Sequence, residues 1–165
     1  MQTDDRSLQA LAADVGQRLK AAGLKLAAAE SCTGGWIAKT LTDVAGSSVW
    51  FERGFITYSN EAKLAMLGVR QATLDAHGAV SETVVREMAE GAADWSLAQV
   101  AVAVSGIAGP DGGSPEKPVG TVWIAWRWAD GKVLSRHFLF KGDRESVRRQ
   151  AVLTALEGLK EGLKT

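Results

Sequence analysis

The sequence predicts an α/β fold in which helices cover both faces of a mixed sheet. Two observations predict it. Through the first two thirds of the chain, segments with helical apolar spacing alternate with short apolar or β-branched runs, the pattern of strands connected by helices. Late in the chain, two strand-like runs flank Ala129-Asp130-Gly131, whose Asp-Gly pair marks a hairpin, so at least one strand pair is antiparallel.

The elements follow in order. Leu8, Leu11, Val15 and Leu19 fall at helical spacing, and Gly23 is placed to end that helix. Leu24–Ala29, with Lys25 its one polar member, predicts a buried strand, followed by the polar, glycine-bearing turn Glu30–Gly35. Trp36, Ile37, Thr40 and Leu41 predict a helix, and Val49–Tyr58, rich in aromatic and β-branched residues, a strand. Asn60 is read as the N-cap of a short helix running through Leu67, which Gly68 terminates. Leu74–Val80 is a loop or short helix. Ser81 caps the next helix, whose apolar stripe is Val84, Met88, Ala92 and Trp95. Gln99–Val104 reads as a buried strand, and Ser105–Pro118 as a loop with four glycines and three prolines. Val119–Trp128 and Lys132–Phe140 form the hairpin, and Asp143 caps a last helix burying Val152, Leu156, Leu159 and Leu163.

The chain has 165 residues, the length of one domain, and is 46% hydrophobic and 23% charged, an ordinary globular balance. Nineteen basic residues offset nineteen acidic ones, which argues against non-specific nucleic-acid or anionic-membrane binding. One cysteine, Cys32, excludes an internal disulfide and a cysteine-cluster metal site, and two histidines, His77 and His137, leave little for another metal site. Both histidines are expected to be structural. The N-terminal stretch carries two aspartates before any apolar run, unlike a signal peptide, and no run has the length of a membrane span. A cytoplasmic location is expected. The strand tryptophans Trp50, Trp123, Trp126 and Trp128 predict core packing and subunit contacts, and a homo-oligomer, with a dimer favoured, is expected.

In open α/β sheets ligands bind beyond the carboxyl ends of strands, and three polar loops follow strands in this chain. In the first, Ser31 stands at a strand-to-helix turn where the N–H groups of Thr33, Gly34 and Gly35 are available to an anion or oxyanion. The plainer reading is that Ser31 and Thr33 only cap the helix. In the second, Tyr58 and Lys63 lie on a strand end and the following helical turn, so both can reach one pocket. A serine without a histidine partner can use a desolvated lysine as base. Taken alone, Lys63 reads as a surface lysine and Tyr58 as a strand aromatic. The third, Ser105–Gly113, is glycine-rich but lacks both the P-loop and the dinucleotide fingerprints. Arg144, at the start of the last helix, can share a phosphate with nearby N–H groups; otherwise it is a solvated arginine. Cys32 ranks below Ser31 as nucleophile because cysteine is commonly a small core residue.

The segments Ala29–Gly35, Gly54–Lys63, Leu67-Gly68-Val69, Ser105–Gly113, Pro118–Val122 and Gly142-Asp143-Arg144 occur in this order. Together they resemble the CinA C-terminal domain family, the bacterial nicotinamide-nucleotide amidases, over nearly the whole chain. The resemblance implies a three-layer α/β/α sandwich. It implies hydrolysis of the carboxamide of nicotinamide mononucleotide to nicotinate mononucleotide and ammonia in pyridine-nucleotide salvage, without metal or organic cofactor. The family's serine- and lysine-containing motifs map to Ser31, Tyr58 and Lys63. The substrate-binding set is then Thr33, Gly34, Gly35, Ser105, Gly106 and Arg144, with either glycine loop taking the oxyanion and the other the phosphate. Longer members carry an N-terminal domain resembling molybdopterin-binding proteins, and its activities are not carried over. The alternative is a non-catalytic pyridine-nucleotide-binding module, which uses the same loops without an activated serine.

Overall fold

The computed structural model describes residues 3–164. Five strands form one sheet, β1 (Leu26–Glu30), β2 (Phe51–Ile56), β3 (Val100–Gly106), β4 (Thr121–Arg127) and β5 (Val133–Leu139), in the spatial order β2-β1-β3-β4-β5. β1 is parallel to both its neighbours, whereas β3, β4 and β5 pair antiparallel, so the sheet is mixed and ends in the expected hairpin. The helices are α1 (Asp5–Ala22), α2 (Trp36–Thr42), α3 (Asn60–Leu67), α4 (Gln71–His77), α5 (Glu82–Asp94) and α6 (Arg144–Gly162). α1, α2 and α6 cover one face and α3, α4 and α5 the other, giving three layers.

The two faces differ in residue size, and the alternation along each strand decides which side chain goes where. Leu26 and Ala28 of β1 and Val100, Val102 and Val104 of β3 meet α1, α2 and α6. Ala27, Ala29, Ala101 and Ala103 meet the opposite layer, where small side chains let α5 lie close to the sheet. Continued one step, this alternation sends Glu30 toward α2 and sends Ser31 and Ser105 toward the α3 and α5 side. The chain leaves β1 toward β2 on one side and returns to β3 on the other. The carboxyl ends of β1 and β3 therefore flank the switch point at which a crevice opens.

The local stop and start signals hold where the backbone requires them. Gly23 and Gly68 end α1 and α3 in the left-handed conformation, and Ser81 and Asp143 accept from Val84 N–H and Ser146 N–H. The cap of α3 is Ser59 rather than Asn60: its hydroxyl accepts from Ala62 N–H, and Asn60 is the first helical residue. The run Val49–Tyr58 begins later as a strand, because Ser47–Val49 forms a single 3₁₀ turn that Trp50 closes. Leu24 bonds back to Leu19, so β1 starts only at Leu26. The hairpin strands are shorter than their apolar runs at both ends. Trp95 lies at the end of α5, 63% exposed, rather than on its buried stripe.

Gly91 of α5 sets the approach of α3. A Cβ there would lie 2.0 Å from the carbonyl oxygen of Leu67, which is backbone and cannot swing away. Gly91→Ala gains helix propensity yet forces α3 and α5 apart, and it is expected to destabilise the chain by about 1–3 kcal/mol, read by urea unfolding.

Candidate active site

Lys63 lies in the first turns of α3, and its side chain turns inward, leaving it 1% exposed. Its Nζ is 3.0 Å from Ser31 Oγ, 2.9 Å from the carbonyl oxygen of Thr57 and 3.2 Å from that of Tyr58. No carboxylate forms an ion pair with it among the described residues. Burial therefore lowers its pKa below the ordinary lysine value, opposed only by the Cys32 thiol nearby. The three oxygens suit both protonation states. An ammonium donates to all three. A neutral amine donates its two hydrogens to the carbonyls and turns its lone pair to the Ser31 hydroxyl.

Ser31 directly follows β1, and its N–H donates to Val104 of β3 at 3.1 Å, so the start of the turn is an extension of the sheet. Cys32, on the other side of the backbone, packs among core residues, and burial pushes its thiol up to about 11. A thiol so raised carries almost no thiolate near neutrality.

Glu30 is a residue whose part the sequence left unread. It is 1% exposed on the α2 side of β1. Its Oε1 accepts from Thr33 Oγ1 at 2.6 Å and Ile37 N–H at 2.9 Å, and its Oε2 accepts from Ala38 N–H at 2.9 Å. A carboxylate thus caps α2 from upstream, where Gly35 has no side chain to do so. A charged residue closing an otherwise apolar strand is the one signal that pointed to it.

The crevice beyond β1 and β3 holds about 240 Å³. Ser31, Tyr58, Lys63, Ser105, Gly106 and Arg144 all line it, as do Cys32 and Asn60. Ser105 is occupied structurally, its hydroxyl donating to the Ala79 carbonyl at 2.9 Å. Tyr58 is 63% exposed at the mouth. There Arg144 donates from Nη2 to the Tyr58 hydroxyl at 3.3 Å and from Nη1 to the Gly109 carbonyl at 2.7 Å. Thr33, Gly34 and Gly35 are not in this crevice. They line a separate depression of about 410 Å³ with Trp36, Lys39, Arg148 and Arg149. Of the three N–H groups expected to bind an anion, that of Gly34 donates to the Ser31 carbonyl, and Glu30 takes the N–H groups of Ile37 and Ala38 in the first turn of α2.

His77 ends α4, and His137 lies on β5 with its ring 5.1 Å from that of Trp123. Neither lines the crevice. No helix of the described residues is long and apolar enough to cross a membrane.

The chain is 61% identical over 155 residues to the Nicotinamide-nucleotide amidohydrolase PncC of Escherichia coli strain K12, covering 94% of each chain. It is 55% identical over 150 residues to the protein of the same name from Pseudomonas putida, covering 90% of this chain and 92% of that one. The fold superposes on the crystal structure of the competence/damage inducible protein CihA from Agrobacterium tumefaciens with a TM-score of 0.93, at 45% identity, over 100% of this chain and 99% of that one. The profile of the CinA C-terminal domain matches residues 8–163, and the chain belongs to that family.

Proposed function

We propose that the chain hydrolyses the carboxamide of nicotinamide mononucleotide to nicotinate mononucleotide and ammonia, with Ser31 as nucleophile and Lys63 as its base. The observation that carries this reading is the 3.0 Å approach of a buried lysine amine, free of any carboxylate partner among the described residues, to a serine hydroxyl at the carboxyl end of a central strand. The names of the relatives supply the substrate class, and the geometry supports amide chemistry on it.

The steps follow from the groups in the crevice. Lys63, neutral, accepts the Ser31 proton as Oγ adds to the carboxamide carbon. Negative charge gathers on the carboxamide oxygen. It is assigned to the backbone of the crevice wall at Cys32, Ser105 and Gly106 rather than to Thr33–Gly35, which face the other depression. The C–N bond then breaks, and the lysine proton passes to the leaving nitrogen with Tyr58 assisting at the mouth. Ammonia departs, leaving an acyl ester on Ser31. Water, deprotonated by Lys63, cleaves that ester to the carboxylate and regenerates the serine. Arg144, held at the rim by Tyr58 and Gly109, is assigned to the 5′-phosphate.

Release of ammonia from nicotinamide mononucleotide by the purified chain tests the reading directly, and a chain that binds the nucleotide without releasing ammonia is a binding module instead. Ser31→Ala is expected to lower kcat by about 10³-fold or more while nucleotide affinity stays within a few-fold. Cys32→Ala, in contrast, should keep most of the rate, since the thiol is packed and protonated; a dead but folded Cys32→Ala would transfer the nucleophile to sulfur.

The pH dependence has a definite sign. Burial lowers the Lys63 pKa, so the neutral base persists to lower pH than an exposed lysine would allow. Protonation below that pKa removes the base, and acylation should fall as pH drops through it. Lys63→Arg holds a permanent charge and is expected to lose about 10²–10⁴-fold in single-turnover acylation. Substantial acylation by Lys63→Arg would take the base role from this residue.

A further inference from the structure

α6 carries two arginines one turn apart, and they serve opposite sides of the reactive turn. Arg144 reaches the crevice mouth. Arg148 does not line the crevice; it lies behind the turn, in the depression lined by Thr33, Gly34 and Gly35. Its Nε donates to the Cys32 carbonyl at 3.0 Å, and its Nη2 to the Thr33 carbonyl at 3.2 Å. The guanidinium also sits 5.5 Å from the centre of the Trp36 ring.

The neighbouring cations differ from it. Arg149 pairs with Asp5 and Glu145, and Lys39 with Asp43. Among the described residues, no carboxylate pairs with Arg148. Its charge is answered by the two carbonyls of the turn.

Those carbonyls lead back to the serine. In a trans peptide the C=O and N–H point in opposite directions. The Thr33–Gly34 peptide therefore accepts from Arg148 at its oxygen and donates at its nitrogen, from Gly34 N–H to the Ser31 carbonyl at 3.1 Å. A cation on the oxygen end polarises the peptide and strengthens the donation at the other end. The Cys32 carbonyl belongs to the residue directly after Ser31. Glu30 grips the same turn through Thr33 Oγ1 and the start of α2.

We infer that Arg148 is a positioning residue for Ser31: from outside the crevice it fixes the peptides that follow the serine and so keeps Oγ on the Lys63 amine. The inference deepens the proposed amidase reading and rests on Ser31 being its nucleophile. A shift of Ser31 by about 1 Å is enough to cost on the order of 10²-fold in rate, without any contact between Arg148 and substrate. Substrate affinity, which depends on Arg144 and the crevice walls, is left in place.

The test uses Arg148→Ala and Arg148→Lys in the full chain. Two readouts are followed: kcat and KM for ammonia release from nicotinamide mononucleotide, and the rate at which a sulfonyl fluoride labels Ser31, located by mass spectrometry. Arg148→Ala is expected to lose roughly 10-fold to 100-fold in kcat and in labelling, with KM nearly unchanged. Free guanidinium should restore both, because the depression behind the turn is open to solvent; sodium chloride at equal ionic strength should not. Arg148→Lys, a point donor that cannot span both carbonyls, should fall between the two and supplies the folded comparison if the alanine variant is unstable. Unchanged kcat and labelling overturn the inference. So does a raised KM with intact kcat, which would make Arg148 a ligand contact, or a folded alanine variant that guanidinium fails to restore. If the parent chain is labelled at Ser31 but releases no ammonia, the proposed substrate is wrong, while the labelling rates still decide the part played by Arg148. A parent chain whose Ser31 resists labelling overturns both.

Discussion

A lysine amine held inside the protein by three oxygens and, among the described residues, no carboxylate is the constraint around which the site is arranged. Burying an amine is costly unless its hydrogens find partners. The partners of Lys63 are two backbone carbonyls at the end of β2 and one serine hydroxyl at the end of β1. Each has to be in place before the side chain can turn inward. The Thr57 carbonyl is fixed because its own N–H donates to the Glu30 carbonyl at 2.8 Å, continuing the β1–β2 ladder beyond the strands. α3 is fixed because α5 presses against its Leu67 end through the bare backbone of Gly91. Sheet register and helix packing together deliver the amine to the serine.

The alternation of β1 separates two tasks that sit on adjacent residues. Glu30 points to the larger-residue face and Ser31 to the alanine face. One side chain therefore caps α2 and closes the turn, while the next meets Lys63. A slip of one residue would exchange them and leave a carboxylate against the lysine, which would stabilise its ammonium form. The packing of Cys32 follows from the same geometry: it falls on the core side of the turn, where burial suppresses its thiolate.

The turn itself is held by two opposite charges. Glu30 receives donors from it, and Arg148 donates to its carbonyls. These are charge-assisted bonds in a partly buried setting, stronger than neutral ones. They hold a glycine pair whose backbone, at φ 60° for Gly34 and 102° for Gly35, is open only to glycine without strain. The two glycines shape the turn and line the depression beside Arg148, not the crevice.

By itself the sequence determined the element order, the late hairpin, and the caps at Gly23, Gly68, Ser81 and Asp143. These are local properties, set by spacing and by residues whose backbone preferences are their own. It also marked Ser31, Tyr58 and Lys63 through the polar loops that follow strands, and Arg144 through its place at the start of the last helix. Only the tertiary structure decided which of those residues meet. Lys63 reaches Ser31 across 32 positions of chain and Arg144 reaches Tyr58 across 86, distances over which no periodicity carries information. The same holds for the two expectations that changed most. Thr33–Gly35 turned away from the crevice because Glu30 and Arg148 take hold of that turn, and Trp95 lies exposed because it falls just past the last residue of α5 rather than on its buried stripe. Local pattern specifies the backbone, but the direction of a buried charge depends on which donors the rest of the fold brings to it, and those come from elsewhere in the chain.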